Sequence, residues 1–196
     1  MKKKNVIITG SILAFLTLFS IRVFMVNTDI KRAVVKEYNE HEVVPFGSDF
    51  NDNSGDCLDG YTLEVLDNEF LPVDEFLEKY NLSDKFTPDE ATEYFYLVRV
   101  SGGNIDNMEG TERGLAIYYL TLTGTNYFIL PDENAFEVLN PGFPGIAFSL
   151  RPGTTKEFLL PYAVGSDICS NYKRLPETKP RLQLTEYPNR KMIKLK

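Results

Sequence analysis

From Tyr61 onwards, the chain is dominated by short segments in which apolar residues recur at every second position. Tyr61, Leu63 and Val65, for example, would share one face of a strand, with polar residues on the other face. This alternation is typical of β-strands with one buried side. Turns rich in Gly and Pro, such as Pro152-Gly153, separate the segments. About seven to nine short strands joined in this way predict an all-β fold, an antiparallel β-sandwich.

Several further segments follow the same pattern. Residues 115–122 are apolar on both faces, which predicts one central strand. The other predicted strands are 43–46 at a sheet edge, 94–100, 125–130, 158–164, and a closing pair formed by Leu182 and Leu184 with Ile193 and Leu195. One segment has a helical period instead: Val73, Phe76, Leu77 and Tyr80 are spaced i, i+3, i+4 and i+7. We therefore expect a single short helix in the sandwich.

The N-terminus combines three lysines with a long apolar run. Residues 6–26 would form a helix about 31 Å long, close to the thickness of a bilayer core. Lys2, Lys3 and Lys4 place the N-terminus in the cytoplasm by the positive-inside rule. A cleaved signal peptide is the alternative, but no small-residue cleavage site follows the run. We expect a cytoplasmic tail (1–5) and a single-pass transmembrane signal anchor (6–26) that takes the lipid bilayer as partner.

The anchor sets the expected organisation of the rest. Residues 27–48 are predicted to be a stalk, and 49–196 an extracellular domain attached to the cell membrane. Four of the 21 basic residues and none of the 28 acidic ones lie before residue 27, so residues 27–196 carry a net charge of −11. Such acidity argues against nucleic acid as a partner and favours cations, basic partners or neutral surfaces. Simple solubility is the alternative explanation of the charge.

The loop from Asp49 to Gly60 is dense in Asp, Asn and Gly. Asp49, Asn51 and Asn53 match the first positions of an EF-hand, but Ser54 and Gly60 stand where Gly and Glu are needed. An EF-hand is thereby excluded. A looser calcium site remains a hypothesis, and its candidate ligands are Asp49, Asp52, Asp56 and Asp59.

Cys57 and Cys169 are the only cysteines. An oxidising compartment would permit a disulfide between them, and free thiols remain the alternative. No nucleophile motif, phosphate-binding loop or zinc-protease motif occurs in the chain. Tyr118, Tyr119 and Tyr127 fit cross-strand packing. We expect no catalytic residue and no cofactor.

Several short motifs resemble those of a known family. They are Gly60–Val65, Val73–Leu77, Leu122–Phe128, Phe148–Thr154, Phe158–Tyr162 and Leu182–Pro188. They are similar to an uncharacterised family of membrane-anchored proteins from Gram-positive Firmicutes, whose extracellular domain has no known function. The resemblance implies an immunoglobulin-like extracellular β-sandwich and provides no site residues.

These observations favour a non-enzymatic cell-envelope protein whose β-sandwich serves as an interaction or accessory module for an envelope protein partner. Two other functions stay open at this point. One is a calcium-dependent surface adhesin that uses the acidic loop. The other is an envelope hydrolase that uses Asp or Glu.

Overall fold

The structure is a computed structural model that describes residues 2–29, 33–50, 58–108, 114–168 and 170–196. The chain divides into two compact units, Met1–Ala33 and Val34–Lys196. The first unit contains one helix, α1 (Lys2–Asp29).

The expected transmembrane signal anchor at 6–26 is not supported. Within the part of the chain that the structure describes, no helix is long and apolar enough to cross a membrane. A span requires about twenty mostly apolar residues in succession. This part of the predicted fold is therefore corrected.

The second unit is built mainly from short strands. Its described strands are β1 (Val34–Asn39), β2 (Val44–Pro45), β3 (Tyr61–Pro72), β4 (Tyr94–Asn104), β5 (Leu115–Ala116), β6 (Thr121–Thr123), β7 (Phe128–Ile129), β8 (Ala147–Phe148), β9 (Thr154–Val164), β10 (Arg181–Gln183) and β11 (Asn189–Lys194). Its described helices are α2 (Val73–Lys79), α3 (Glu133–Leu139) and two 3₁₀ segments, Ile117–Tyr119 and Tyr172–Thr178. The unit is therefore mostly β-sheet with several helices.

The strands form three sheets. Sheet A has the order β1-β11-β10-β6-β7, sheet B the order β2-β3-β4-β9, and sheet C pairs β5 with β8. β1 runs parallel to β11, whereas the other described pairs are antiparallel. The prediction of an all-β, antiparallel, immunoglobulin-like sandwich with one short helix is wrong, because the unit contains several helices and one parallel pair of strands. A parallel pair arises here because β1 and β11 come from opposite ends of the unit, and the long chain between them allows the crossover that parallel pairing needs.

Sheet B is covered on both faces. Val98 and Val100 of β4 are fully buried in a core that also contains Leu122 and Leu182 of sheet A. On the other face of β4, Phe95 and Leu97 pack in a second buried cluster, with α2 and with Ala135 of α3. Sheet A, sheet B and the two helices therefore form successive layers around these two cores. Because both faces are buried, residues 94–100 carry apolar side chains on both sides of the strand.

The helix predicted from Val73 to Tyr80 is present as α2, with Phe76 fully buried. The helix α3 is a feature that the strand pattern did not indicate. Asp132 caps it, because one side-chain oxygen accepts a hydrogen bond from the Ala135 N–H at 2.8 Å. Ala135, Val138 and Leu139 recur at helical spacing and pack in the second cluster.

Residues 115–122 do not form the single strand that their composition predicts. The chain forms β5, then turns through the 3₁₀ segment Ile117–Tyr119, and continues as β6. The Leu120 N–H donates to the Ile117 carbonyl at 2.8 Å, which closes this turn. Tyr118 and Tyr119 consequently lie half-exposed beside sheet A instead of inside it.

The segment 27–48 contributes two strands to the second unit. β1 pairs along its whole length with β11, and β2 pairs with β3 at the edge of sheet B, where a short edge strand was predicted. The closing pair of strands is also present, since Leu182 of β10 lies opposite Ile193 of β11.

Candidate functional site

An open groove lies on the face of sheet A that is turned away from the core between sheets A and B, which we call the shared core. Its volume is about 550 Å³. We call it the aromatic groove; it is lined by Tyr118, Tyr119, Thr121, Thr123, Gly124, Tyr127, Phe128, Leu130, Gln183, Glu186 and Arg190. Four of these eleven residues are aromatic, and they come from two separate stretches of chain around β6 and β7. The groove is the strongest candidate for a ligand site in the described structure.

The floor of the groove is set by the alternation of side chains along β10. Leu182 points into the core between the sheets, where it lies opposite Leu122 and Ile193. Gln183 is the next residue, so its side chain projects to the opposite face. There it lies opposite Thr121 of β6 and Met192 of β11 in the strand register. The floor is therefore polar at its centre and supported from below by a packed core.

Gln183 is only 8% exposed, yet its side-chain amide forms no hydrogen bond with any described residue. Other buried polar residues of this unit are well paired: Asn104, Asn140, Thr185 and Lys191 each make at least two hydrogen bonds. Thr62 also lacks a described hydrogen bond from its side chain, but it lies against Gly103 in sheet B. A buried amide without a partner costs free energy of folding, so its presence in a groove points to a ligand that completes it.

The aromatic wall is held in place by local contacts. The rings of Tyr118 and Tyr119 lie 4.2 Å apart between centroids. The Tyr127 hydroxyl lies 2.6 Å from the Thr178 hydroxyl. A side chain at position 124 would place its Cβ 2.4 Å from the Tyr127 ring, so Gly124 leaves the space that this ring occupies. The wall thus presents fixed ring surfaces to the groove.

The rim carries both apolar and charged side chains that are exposed to solvent. Phe128 is 70% exposed and Leu130 is 53% exposed, although both are large apolar residues on or next to the edge strand β7. Glu186 and Arg190 are also exposed, and neither belongs to an ion pair among the residues described. The rim therefore offers apolar surface together with free charged groups.

A second cavity adjoins the first. It has a volume of about 370 Å³ and shares Phe128 and Leu130 with the aromatic groove. We call it the acidic cleft, because Asp89, Asp132 and Asp167 line it together with apolar residues. No described basic residue pairs with these three carboxylates. The groove and the cleft are thus continuous across one apolar ridge.

Asp49, the first of the predicted calcium ligands, is engaged by two lysines. Its carboxylate lies 2.9 Å from Nζ of Lys36 and 2.9 Å from Nζ of Lys191. Lys191 also donates to the Phe46 carbonyl at 2.5 Å and to the Pro45 carbonyl at 3.1 Å. The hydrogen bonds from Lys36 and then from Lys191 lower the pKa of the Asp49 carboxyl to about 2. These contacts give Asp49 a structural role at the start of the acidic loop.

Of the other predicted ligands, Asp59 lies within the described residues. The Asp59 carbonyl accepts a hydrogen bond from the Asn107 side chain at 2.7 Å. Asp52 and Asp56 lie outside the described residues, as do Cys57 and Cys169, the predicted disulfide pair. Among the residues whose placement is described, no three His, Cys, Asp or Glu side chains are grouped in a way that would hold a metal ion.

Sequence reasoning did not identify the aromatic groove. The sequence pattern assigns Tyr118, Tyr119 and Tyr127 to packing. Tyr127 does pack against the core between sheets A and B, and it lines the groove as well. One usable signal was the Tyr118-Tyr119 pair itself, since neighbouring residues of a strand face opposite sides and one ring had to leave the core. Nothing in the sequence pattern predicts that the side-chain amide of Gln183 lacks a hydrogen-bond partner.

Comparison with known proteins identifies the family but no activity. The chain belongs to the family described as Domain of unknown function (DUF5028), whose model matches residues 35–191. No curated protein and no solved structure matches the chain. The family match agrees with the resemblance to an uncharacterised family. It does not bear on the Firmicutes origin or the membrane anchoring that the resemblance implied.

Proposed function

For this member of the DUF5028 family, we propose a role as a protein-interaction module that binds an extended segment of a partner protein in the aromatic groove. The observation that carries this proposal is the buried, unpaired amide of Gln183 on the floor of the groove. A peptide backbone offers carbonyl and N–H groups that match both ends of an amide side chain. Binding such a segment would remove the cost of leaving Gln183 unpaired.

The chemistry around Gln183 supports a protein ligand. Tyr residues supply large contact areas with a polar tip, and they are enriched where proteins meet one another. The exposed ring of Phe128 and the free guanidinium of Arg190 are further groups of the type that dominates binding energy at interfaces. The groove therefore combines apolar anchors with a few directional polar groups.

The exposure of the rim favours a segment over an enclosed small molecule. Phe128, Leu130, Glu186 and Arg190 all remain accessible to solvent on the borders of the groove. A chain that crosses this surface can bury them while its ends continue into solvent. An extended conformation presents its backbone groups along the whole contact, as in other peptide-binding grooves.

The proposed role is binding without catalysis. Glu186 is the single carboxylate in the lining of the aromatic groove. Hydrolysis by the paired-carboxylate mechanism requires two such groups across the scissile bond. Elsewhere in the unit, the adjacent carboxylates of Asp74 and Glu75 lie in the first turn of α2, and the side chain of Asp132 caps α3.

Selection from a displayed library of random peptides tests the proposal. The full-length chain serves as bait, and selected peptides are then titrated against Gln183→Leu and Phe128→Ala. We expect both variants to weaken binding by about tenfold or more, as loss of a central hydrogen bond or an aromatic anchor does.

The matched control is Ile105→Ala, which removes a 64% exposed apolar side chain that does not line the groove. It should leave the affinity of the selected peptides unchanged. The proposal is wrong if the library yields no peptide that binds saturably, or if the selected peptides bind the two groove variants as tightly as the natural chain.

A further inference from the structure

We propose that the segment bound in the aromatic groove is rich in proline and carries lysine or arginine next to its proline stretch. This inference rests on the proposed function, because it names the chemistry of the segment for the same site. The proline stretch lies in the aromatic groove, and the basic side chains enter the acidic cleft. Three features of the described residues carry it.

The first feature is the supply of hydrogen-bond donors in the groove. The guanidinium of Arg190 has only donors, and the amide of Gln183 adds two donor hydrogens to its acceptor oxygen. Glu186 and the hydroxyl groups of the lining supply acceptors as well. A proline-rich segment can use these donors, because each proline keeps its carbonyl and lacks an N–H.

The second feature is the set of rings. Segments rich in proline adopt the polyproline II conformation before they bind, so they lose little conformational entropy on binding. They are recognised in grooves lined by aromatic side chains, against which the proline rings pack. Tyr118, Tyr119, Tyr127 and Phe128 supply such a lining in the groove that contains Gln183.

The third feature is charge. The acidic cleft holds Asp89, Asp132 and Asp167 around apolar surface, and none of them has a described basic partner. The long methylene stem of a lysine or arginine would cover the apolar lining formed by Ile129 and Ile168, while its charged end meets the carboxylates. The net charge of −11 on residues 27–196 attracts the same kind of partner.

The two cavities are placed so that one segment reaches both. Phe128 and Leu130 line the groove on one side and the cleft on the other. A chain that leaves the aromatic groove over this ridge therefore passes directly above the acidic cleft. The basic residue is for this reason expected at the end of the proline stretch and not within it.

Fluorescence anisotropy with defined probes tests the inference. The probe is a labelled oligoproline peptide of about ten residues followed by lysines, long enough to cross both cavities at about 3 Å per residue. Companion peptides end in serine or in glutamate, or have alanine in place of proline. With the full-length chain, we expect the lysine-ended oligoproline to bind about tenfold more tightly than the glutamate-ended or alanine peptides.

Variants of the chain assign each part of the probe to its cavity. Asp89→Asn and Asp167→Asn should each weaken the lysine-ended probe by about threefold to tenfold and leave the serine-ended probe unaffected. Gln183→Leu should weaken both probes. Asp84→Asn, which removes an exposed carboxylate outside both cavities, is the matched control and should change neither affinity.

The outcomes separate this inference from the proposed function. If peptides bind in a way that depends on Gln183 and Phe128 but show no preference for proline or lysine, the inference is wrong and the proposed function stands. Both are wrong if no peptide binds, or if a neutral oligosaccharide binds instead and depends on the same two residues.

Discussion

The ammonium of Lys191 lies 2.9 Å from the Asp49 carboxylate, and the Lys191 side chain is only 6% exposed. Two backbone carbonyls, of Pro45 and Phe46, accept its remaining hydrogen bonds. The contact joins β11 to the start of the acidic loop. It also shows that the residue which the sequence suggested as a calcium ligand serves to neutralise a buried cation.

Replacing Asp49 with Asn should therefore destabilise the fold. The variant leaves the buried charge of Lys191 without its counterion, and we expect a loss of about 1–2 kcal/mol, a value reduced for the solvent screening of a half-exposed carboxylate. Urea denaturation of the full-length chain measures the change. Lys36→Gln removes only the exposed partner of Asp49 and should have a smaller effect.

The same pair predicts a dependence on pH. The pKa of Asp49 is lowered in the folded state to about 2, so its contribution is complete above the ordinary carboxyl pKa of about 4. The contribution falls as the pH drops from about 4 towards about 2. The stability difference between the natural chain and Asp49→Asn should shrink over this interval. A difference that stays constant would contradict the role given to the pair.

Tyr162 tests the shared core. Its hydroxyl donates to the Leu120 carbonyl at 2.7 Å, and complete burial raises the pKa of the phenol. Tyr162→Phe leaves that carbonyl unpaired, and should lower the free energy of unfolding by about 1–2 kcal/mol. Tyr172→Phe, at an exposed hydroxyl bonded to Glu93, is the matched control and should change stability little. Equal effects of the two variants would show that burial does not set the strength of the Tyr162 contact.

Asn140 holds the end of α3 against β9. Its amide donates to the Leu159 carbonyl and its amide oxygen accepts from the Leu159 N–H, both at 2.9 Å, as a neighbouring strand would. Asn140→Asp keeps the shape but places an acceptor against that carbonyl. We expect a loss of about 2–4 kcal/mol, seen as a lower Tm. Asn171→Asp, at an exposed position, serves as the comparison. A similar fall in Tm for both variants would argue against a stabilising role of the two Asn140–Leu159 hydrogen bonds.

Gln183→Leu should stabilise the fold, whereas the preceding variants destabilise it. The unpaired amide costs the free chain stability, so its removal should raise the free energy of unfolding by about 1 kcal/mol while it weakens ligand binding. If Gln183 served folding alone, its replacement would lower the free energy of unfolding and leave ligand binding unchanged. A loss of stability in this variant would mean that Gln183 is satisfied within the fold and does not mark a ligand site.

The parts of the fold that followed from the sequence are those fixed by local periodicity. The alternation of Tyr94–Val100 and the helical spacing of Val73–Tyr80 each describe one element, and both elements form. Strand partners are different, because the pairing of β1 with β11 depends on contacts between residues more than a hundred positions apart. Periodicity contains no information about such contacts.

The groove was missed for a related reason. Tyr118 and Tyr119 lie outside the core because the chain turns through a 3₁₀ segment at Ile117–Tyr119, and this turn replaces a strand that composition favoured. The sequence pattern does not distinguish Gln183 from the other polar residues of the strands. Only the packing around it reveals that its amide is buried and without a partner.

Photo-cross-linking tests the central claim most directly. A peptide selected on the full-length chain is rebuilt with a benzophenone side chain, irradiated in the complex, and the attachment sites are read by mass spectrometry. The account predicts attachment within 118–130 and 183–190, the two stretches that line the aromatic groove. Attachment confined to other surfaces, such as α2 or the exposed strand β1, would contradict it.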